Sequence, residues 1–261
     1  MSRIRSRSRR LFAHPARIAL VAALVGVMVP TVVPAARAAG ATYWVDNVNG
    51  FDTNPGTELL PFETITYALS QTDGADTIMV EPGTYSEANN ESMPIQVFDG
   101  ETLISTGGAA STIIQGANGK MLLVVNGWQD GDRLQGFTFT GGGAGSSSGV
   151  LINLQTASAG MNPPMINGNE FTDNDAGTGG ALVVSSPTSG LATAIKIQSN
   201  TFSGNVGTTG GALRYDGYGV IELIGNSFRD NTAGSGGAVA LSTYDAICTV
   251  RDNGFQSNAV T

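Results

Sequence analysis

The chain has 261 residues, enough for one large domain or two small ones, and its 21 acidic residues outnumber its 13 lysines and arginines. Seven of those cations precede residue 40 and every acid follows it, so the remainder carries six cations against 21 acids, a formal charge of −15. Because such a surface repels nucleic acid and anionic lipid, we expect neither as a partner.

Residues 1–38 have the three parts of a secretory signal peptide. An arginine-rich start (MSRIRSRSRRLFAHPAR) precedes an apolar stretch (IALVAALVGVMVPTVV) and small residues around Ala36 and Ala38 that suit cleavage. Ser8–Phe12 also resembles the twin-arginine export motif. We predict a secreted or cell-surface protein whose mature domain does not insert into a membrane. An uncleaved membrane anchor is the alternative.

Removal of this segment also removes the chain's one histidine, His14. The mature protein then has no imidazole for acid–base catalysis or metal binding, which excludes a Cys–His protease. Its one cysteine, Cys248, cannot form an intrachain disulfide. Since Cys248 lies in the apolar-alternating segment DAICTV, we predict a buried structural thiol.

Residues 42–92 have a mixed composition and are predicted to form an N-terminal capping module. A strand is predicted over Asp76–Val80, ended by the turn at Pro82. The Asx-rich loop 46–52 lacks the trailing glutamate of an EF-hand, so we interpret it as a turn. A short amphipathic helix that follows Pro61 is predicted from apolar residues at helical spacing, namely Phe62, Ile65, Ala68 and Leu69.

Residues 93–261 contain an internal repeat of short strands and glycine turns. The motif Asn-x-Phe-x-x-Asn recurs at spacings of 31, 26 and 27 residues, and a looser copy surrounds Phe139. Repeats of this length without a helical period exclude helical solenoids, and they are too short for hairpin-based propeller blades. We therefore predict a parallel β-solenoid with one repeat per coil and equivalent residues stacked about 4.7–4.9 Å apart. The four copies begin at Asn169, Asn200, Asn226 and Asn253.

Equivalent residues of successive coils are expected to form columns. The asparagines are placed at the corners, where we expect them to adopt left-handed backbone and to form amide ladders. Lys196 and Glu222 become outward neighbours and a surface ion pair. An internal aromatic stack is predicted from Phe171, Phe202, Phe228 and Phe255.

After each Gly-Gly pair the chain resumes an alternating pattern. The columns of Leu213 and Tyr215 are predicted to point inward, and those of Ala212 and Arg214 outward. The segments 179–181, 210–212 and 236–238 would then form a flat uncharged strip on the surface.

The fourth repeat opens at Asn253 and the sequence stops at Thr261, before another Gly-Gly-Ala segment. A solenoid end exposes unpaired backbone and needs a cap. We therefore expect this chain to be the N-terminal portion of a longer protein.

Five segments of the capping module are similar to the corresponding part of secreted bacterial right-handed parallel β-helix proteins, in which the helix plugs the open end. They are Tyr43–Asp46, Gly50–Thr57, Pro61–Leu69, Asp76–Ile78 and Pro82–Glu87. The later repeats resemble those of chlamydial polymorphic outer-membrane proteins. This pectate-lyase-like fold family also includes polysaccharide-active enzymes. The resemblance implies an all-β right-handed parallel β-helix with a short N-terminal capping helix.

Lyases of this fold often use an arginine or lysine base beside acids that hold Ca²⁺ against a substrate carboxylate. Arg214 is the candidate for that base, although no accompanying acid cluster is apparent and a solvated surface arginine is the alternative. Asp173, Asp175 and Asp230 at the corners are candidate calcium ligands, with ordinary turn chemistry as the alternative. Apart from such calcium we predict no cofactor.

The sequence favours a non-catalytic module of adhesin type that binds an extracellular glycan or protein along its flat face. Candidate binding residues are Arg214, Lys196 and Glu222. The alternative function is a polysaccharide lyase or another carbohydrate-active enzyme of the same fold family. A structural spacer without a specific ligand is a further alternative.

Overall fold

The computed structural model describes residues 40–98, 100–117, 119–128, 130–143, 148–154, 162–177, 179–187 and 194–261. The predicted signal peptide, residues 1–38, lies outside the described residues. Within the described part of the chain, no helix is both long enough and apolar enough to cross a membrane.

Strands of successive coils pair in parallel and build ladders along the solenoid. The first ladder contains four short strands and the first halves of two long ones, Leu213–Ile224 and Val239–Arg251. Its short strands are Ile95–Val97, Leu123–Trp128, Val150–Leu154 and Leu182–Ser186.

The second ladder ends in the second halves of the same two long strands. Its first strand already lies at the start of the capping module, so this module contributes its own strands to the solenoid. The short strands are Thr42–Val45, Thr77–Val80, Thr102–Ser105, Arg133–Gln135, Met165–Asn167 and Ala194–Gln198.

Two further ladders complete the coils. The third consists of Gly83–Tyr85, Thr112–Gln115, Thr138–Thr140, Glu170–Thr172, Thr201–Ser203, Ser227–Arg229 and Gly254–Gln256. The fourth consists of Val206–Thr209, Thr232–Ser235 and Ala259–Val260. These ladders confirm the predicted fold class, an all-β parallel β-helix with a short helix near its N-terminal end.

The helix predicted to cap the solenoid, hereafter the capping helix, spans Ile65–Ser70, and a 3₁₀ turn follows at Glu87–Asn89. The prediction that Phe62 belongs to the helix was wrong. Thr64 caps the helix, since its hydroxyl accepts a hydrogen bond from the Tyr67 N–H at 3.0 Å. Phe62 precedes this cap and is buried against the Tyr67 ring.

The predicted phenylalanine stack is confirmed. Phe139, Phe171, Phe202, Phe228 and Phe255 lie in register with centroid separations of 5.1, 4.7, 4.9 and 4.9 Å and interplanar angles of 17° or less. The separation matches the spacing between parallel strands, so the coil repeat sets it. Phe139, Phe171, Phe202 and Phe228 are fully buried, whereas Phe255 is 55% exposed, so the predicted internal position does not hold for that ring.

The asparagine ladders are confirmed, and Asn200 shows their chemistry. Its Oδ1 accepts from both the backbone N–H and the Nδ2 of Asn169, at 2.9 and 3.2 Å. Its Nδ2 donates to Ile166 O and to Asn226 Oδ1, both at 3.0 Å. All four hydrogen-bonding sites of the buried amide are thus occupied. A second ladder repeats this through Asn174, Asn205, Asn231 and Asn258.

The prediction that these asparagines adopt left-handed backbone was wrong. The residue before each one adopts it, for example Asp173 with φ 51° and Ser199 with φ 55°. Chain direction at the corner and hydrogen bonding between coils together account for this arrangement. The left-handed residue makes the corner on the outside, and the next residue can then direct its amide into the interior to bond the neighbouring coil.

The Gly-Gly-Ala segments do not form a surface strip, which corrects the sequence interpretation. Ala181, Ala212 and Ala238 are buried. A Cβ on Gly180 would lie 2.1 Å from Gly210 O, and one on Gly211 would lie 2.3 Å from Gly237 O. The backbones of successive coils pack directly on each other here, so the small residues serve close coil stacking.

The predicted burial of Cys248 was also wrong, because its side chain is exposed. Cys248 is in register with Ile221, which is fully buried in the preceding coil. It therefore belongs to an inward column. Among the described residues its strand, Val239–Arg251, pairs only with Leu213–Ile224, and its inward side is not covered by a further coil.

Candidate functional site

The long strand Leu213–Ile224 presents charged, aromatic and apolar side chains on its outer side. Its residues alternate strictly between buried and half-buried positions over all 12 residues. Leu213 and Tyr215 point inward, and Arg214 points outward, as predicted. The outward side chains in order are Arg214, Asp216, Tyr218, Val220, Glu222 and Ile224.

Arg214 and Asp216 occupy consecutive outward positions and form an ion pair, with a guanidinium nitrogen 2.8 Å from Oδ2. About a third of each side chain is exposed, at 31% and 33%. Arg214 lies between Val183 and Ala240 of the adjacent coils. Its Nε is buried and has no hydrogen-bond partner among the described residues.

Tyr218 lies where the two halves of the strand meet. A register shift between Gly217 and Gly219 accommodates an extra residue of the next coil at this point. Gly217 has a φ of 147°, and a Cβ there would lie 2.1 Å from Ser186 O, so only glycine fits.

The ring of Tyr218 contacts that of Tyr244 on the next coil, with centroids 5.6 Å apart and an interplanar angle of 41°. Tyr244 is 53% exposed. Sequence reasoning missed this pair. The available signal was the spacing, since the two tyrosines lie 26 residues apart, the offset that pairs Gly217 with Thr243.

Lys196 and Glu222 are in register on adjacent coils of the second ladder, and their charged groups lie 3.2 Å apart. The predicted outward ion pair is therefore confirmed. Glu222 lies eight residues after Arg214 on the same strand, also at an outward position.

We call the surface formed by these groups the outer strip. It has an ion pair at each end and an aromatic pair between them. Its members are Arg214, Asp216, Tyr218, Tyr244, Glu222 and Lys196.

A polar column that the sequence analysis missed continues the outer strip across the earlier coils. Asn126, Asn153, Ser185 and Asp216 are in register along the first ladder. The Nδ2 of Asn153 donates to Asn126 Oδ1 at 2.9 Å. The strip therefore adjoins amide and hydroxyl groups on one side.

The three aspartates predicted as calcium ligands lie at exposed corners. Asp173 and Asp230 occupy the same left-handed corner position two coils apart, and Gly204 occupies it on the coil between them. The described residues contain no group of three or more histidine, cysteine or acidic side chains placed to hold a metal ion. Calcium binding by Asp173, Asp175 and Asp230 stays a prediction.

The catalytic role considered for Arg214 also stays a prediction. A guanidinium is donor-only and remains charged in proteins, so its direct chemistry here is recognition of anions or hydroxyl oxygens. The adjacent carboxylate of Asp216 accepts from it. Together the two groups present donors and acceptors to a ligand on the outer face.

A solved structure of a rhamnogalacturonan lyase is similar to this chain at 14% sequence identity and a TM-score of 0.32, over 74% of this chain and 75% of that one. A likeness of this size carries no argument about activity. No curated protein matches the chain. A family model described as "Protein of unknown function (DUF1565)" matches residues 48–260, and the chain belongs to that family.

Proposed function

We propose that the chain is a secreted or cell-surface, non-catalytic module that binds an extracellular glycan along the outer strip. The pair of Tyr218 and Tyr244, placed between two ion pairs along the outer side of one long strand, carries this proposal. The signal-peptide pattern of residues 1–38 supports export.

The outer strip combines the two kinds of contact that a sugar polymer needs. Tyrosine offers a large, rigid apolar ring with a polar end, and ordering it costs little conformational entropy. A sugar ring has apolar faces that can pack on such rings. The flanking ion pairs supply donors and acceptors for hydroxyl groups at the rim.

The strip also has a suitable shape. Four of its six side chains follow one β-strand at the two-residue spacing of outward positions. The burial of the Gly-Gly-Ala segments removes the surface that the sequence suggested for this purpose. The outer strip takes its place in the proposal.

Affinity electrophoresis of the protein in gels that contain individual soluble polysaccharides tests the proposal. We expect retardation by at least one polysaccharide. Tyr244→Ala should weaken it by about fivefold or more, since interface aromatics typically contribute over about 1 kcal/mol. Ser227→Ala, on the outer face of the third ladder, is the matched control and should bind like the wild type.

Arg214→Val separates binding from folding. Burial of the Arg214 Nε without a partner costs about 1–3 kcal/mol, and valine already occupies the equivalent position 183. We therefore expect unchanged or higher thermal stability together with weaker binding.

Two results would overturn the proposal. One is the absence of retardation by every polysaccharide tested. The other is release of unsaturated uronides from pectin or alginate with Ca²⁺ present, which would establish the lyase alternative.

A further inference from the structure

We infer that the outer strip selects neutral, hydroxyl-rich polymers and rejects polyuronates. This inference rests on the proposed function and specifies its ligand class. It follows from the charge state of the strip, in which each cation is already paired with a carboxylate.

The two cations of the strip are not available to a ligand carboxylate without rearrangement. Arg214 is bonded to Asp216 at 2.8 Å, and Lys196 lies 3.2 Å from Glu222. A uronate group that took either cation would displace its partner and leave two like charges side by side. Like charges that close together are unfavourable where solvent is partly excluded.

The net negative charge of the chain also disfavours binding of polyuronates. After residue 40 the chain carries six cations and 21 acids. A polyanion therefore meets net repulsion on approach, over a Debye length of about 10 Å at 0.1 M salt. A neutral polymer does not.

A paired strip is well matched to hydroxyl groups. A hydroxyl donates one hydrogen bond and accepts others, so a single sugar hydroxyl can bridge the guanidinium of Arg214 and the carboxylate of Asp216 without separating them. A uronate carboxylate only accepts and has no donor for Asp216. The same contrast applies at Lys196 and Glu222.

The test compares a neutral galactan, a neutral glucan and a mannan with polygalacturonate, by isothermal titration calorimetry at low and high salt. We expect at least about tenfold tighter binding of one neutral polymer than of polygalacturonate. Asp216→Asn should release the guanidinium of Arg214. This should strengthen the binding of polygalacturonate at low salt and weaken the binding of the neutral polymer.

Glu170→Gln is the matched control, because it removes one negative charge from the exposed outer face of the third ladder, away from the strip. This variant should bind both the neutral polymer and polygalacturonate as the wild type does. If the wild type bound polygalacturonate and Tyr244→Ala abolished that binding, the inferred selectivity would be wrong and the proposed site would stand. Failure of all four polymers to bind would contradict the proposed function itself.

Discussion

The first coils and the Asn-x-Phe coils bury their polar groups in different chemical forms. In the later coils these groups are neutral amides, and each bonds the equivalent amide of the next coil. In the first coils they include carboxylates beside a few hydroxyl groups. Asp76, Glu101 and Asp132 are buried at adjacent positions on three successive coils, as the registers of Thr77 with Thr102 and of Leu103 with Leu134 require.

This difference explains why one region repeats and the other does not. An amide both donates and accepts, so a ladder of identical asparagines satisfies itself without limit. A carboxylate only accepts and must find donors elsewhere. Asp76 takes them from the backbone N–H groups of Ala41 and Asp73, and Glu91 takes them from the first turn of the capping helix. Such donors depend on local chain geometry, which does not repeat.

Asn200→Asp places a carboxylate in the asparagine ladder, as in the first coils, and should cause the largest loss of folding stability. The introduced carboxylate would face two acceptors, Ile166 O and Asn226 Oδ1, where the amide donates now. Two unsatisfied buried groups cost about 2–6 kcal/mol in all. Urea unfolding at pH 7 measures the loss.

The loss should shrink in acid. Burial opposite two acceptors raises the pKa of the introduced carboxyl, and protonation restores one donor. Gln198→Glu, two residues earlier on the half-exposed outer face, is the control and should change stability little at either pH. An equal loss at pH 4 and pH 7 would show that the cost is steric and not one of missing donors.

The repeat columns were predictable because a solenoid converts sequence spacing directly into neighbours. Spacings of 31, 26 and 27 residues sufficed to align the phenylalanines and asparagines, and the outward pair of Lys196 and Glu222 followed. Alternation along Leu213–Ile224 gave the correct side for Arg214.

The failed predictions concern properties that periodicity does not contain. Burial of Ala212 depends on how closely backbones approach at the corner, and small residues suit a tight corner as well as a flat surface. Exposure of Cys248 depends on its strand having a partner on one side only. The Tyr218–Tyr244 pair is a different case, because it keeps the 26-residue offset that pairs Gly217 with Thr243 and was therefore within reach of the repeat spacing.

Glu101 offers a sharper test of the buried carboxylates. Its pKa is raised, chiefly by burial and also by the nearby Asp76 and Asp132. Hydrogen-bond geometry agrees with a protonated group. The Thr72 hydroxyl has one hydrogen and contacts both Leu69 O and a Glu101 oxygen, so a proton on Glu101 satisfies both contacts.

Because the folded-state pKa lies above the ordinary value of 4.5, the folded state holds this proton more tightly than the unfolded state. The stability that this provides is full below about pH 4.5 and is lost as the pH rises through the folded-state pKa. Each unit of elevation corresponds to about 1.4 kcal/mol.

Glu101→Gln mimics the protonated acid, since its amide can donate to Thr72 while its oxygen accepts from Phe98 N–H. Thermal unfolding across pH 4–8 should show that this variant gains stability relative to the wild type as the pH rises. The exposed Glu58→Gln is the control. A constant difference between variant and wild type over the whole range would contradict the assignment.

The smallest effect is expected at the ion pair of Lys196 and Glu222, where charged groups face solvent. The two side chains are 27% and 34% exposed, so water and salt screen their attraction, and a double-mutant cycle with alanine should give a coupling of about 1 kcal/mol or less. Raising the salt should lower that value further. A salt-independent coupling above about 2 kcal/mol would mean that the pair behaves as a buried one. The inner and outer polar groups would then no longer differ, because both would contribute to folding stability. The outer strip would also exchange its ion pairs less readily for hydrogen bonds to a ligand.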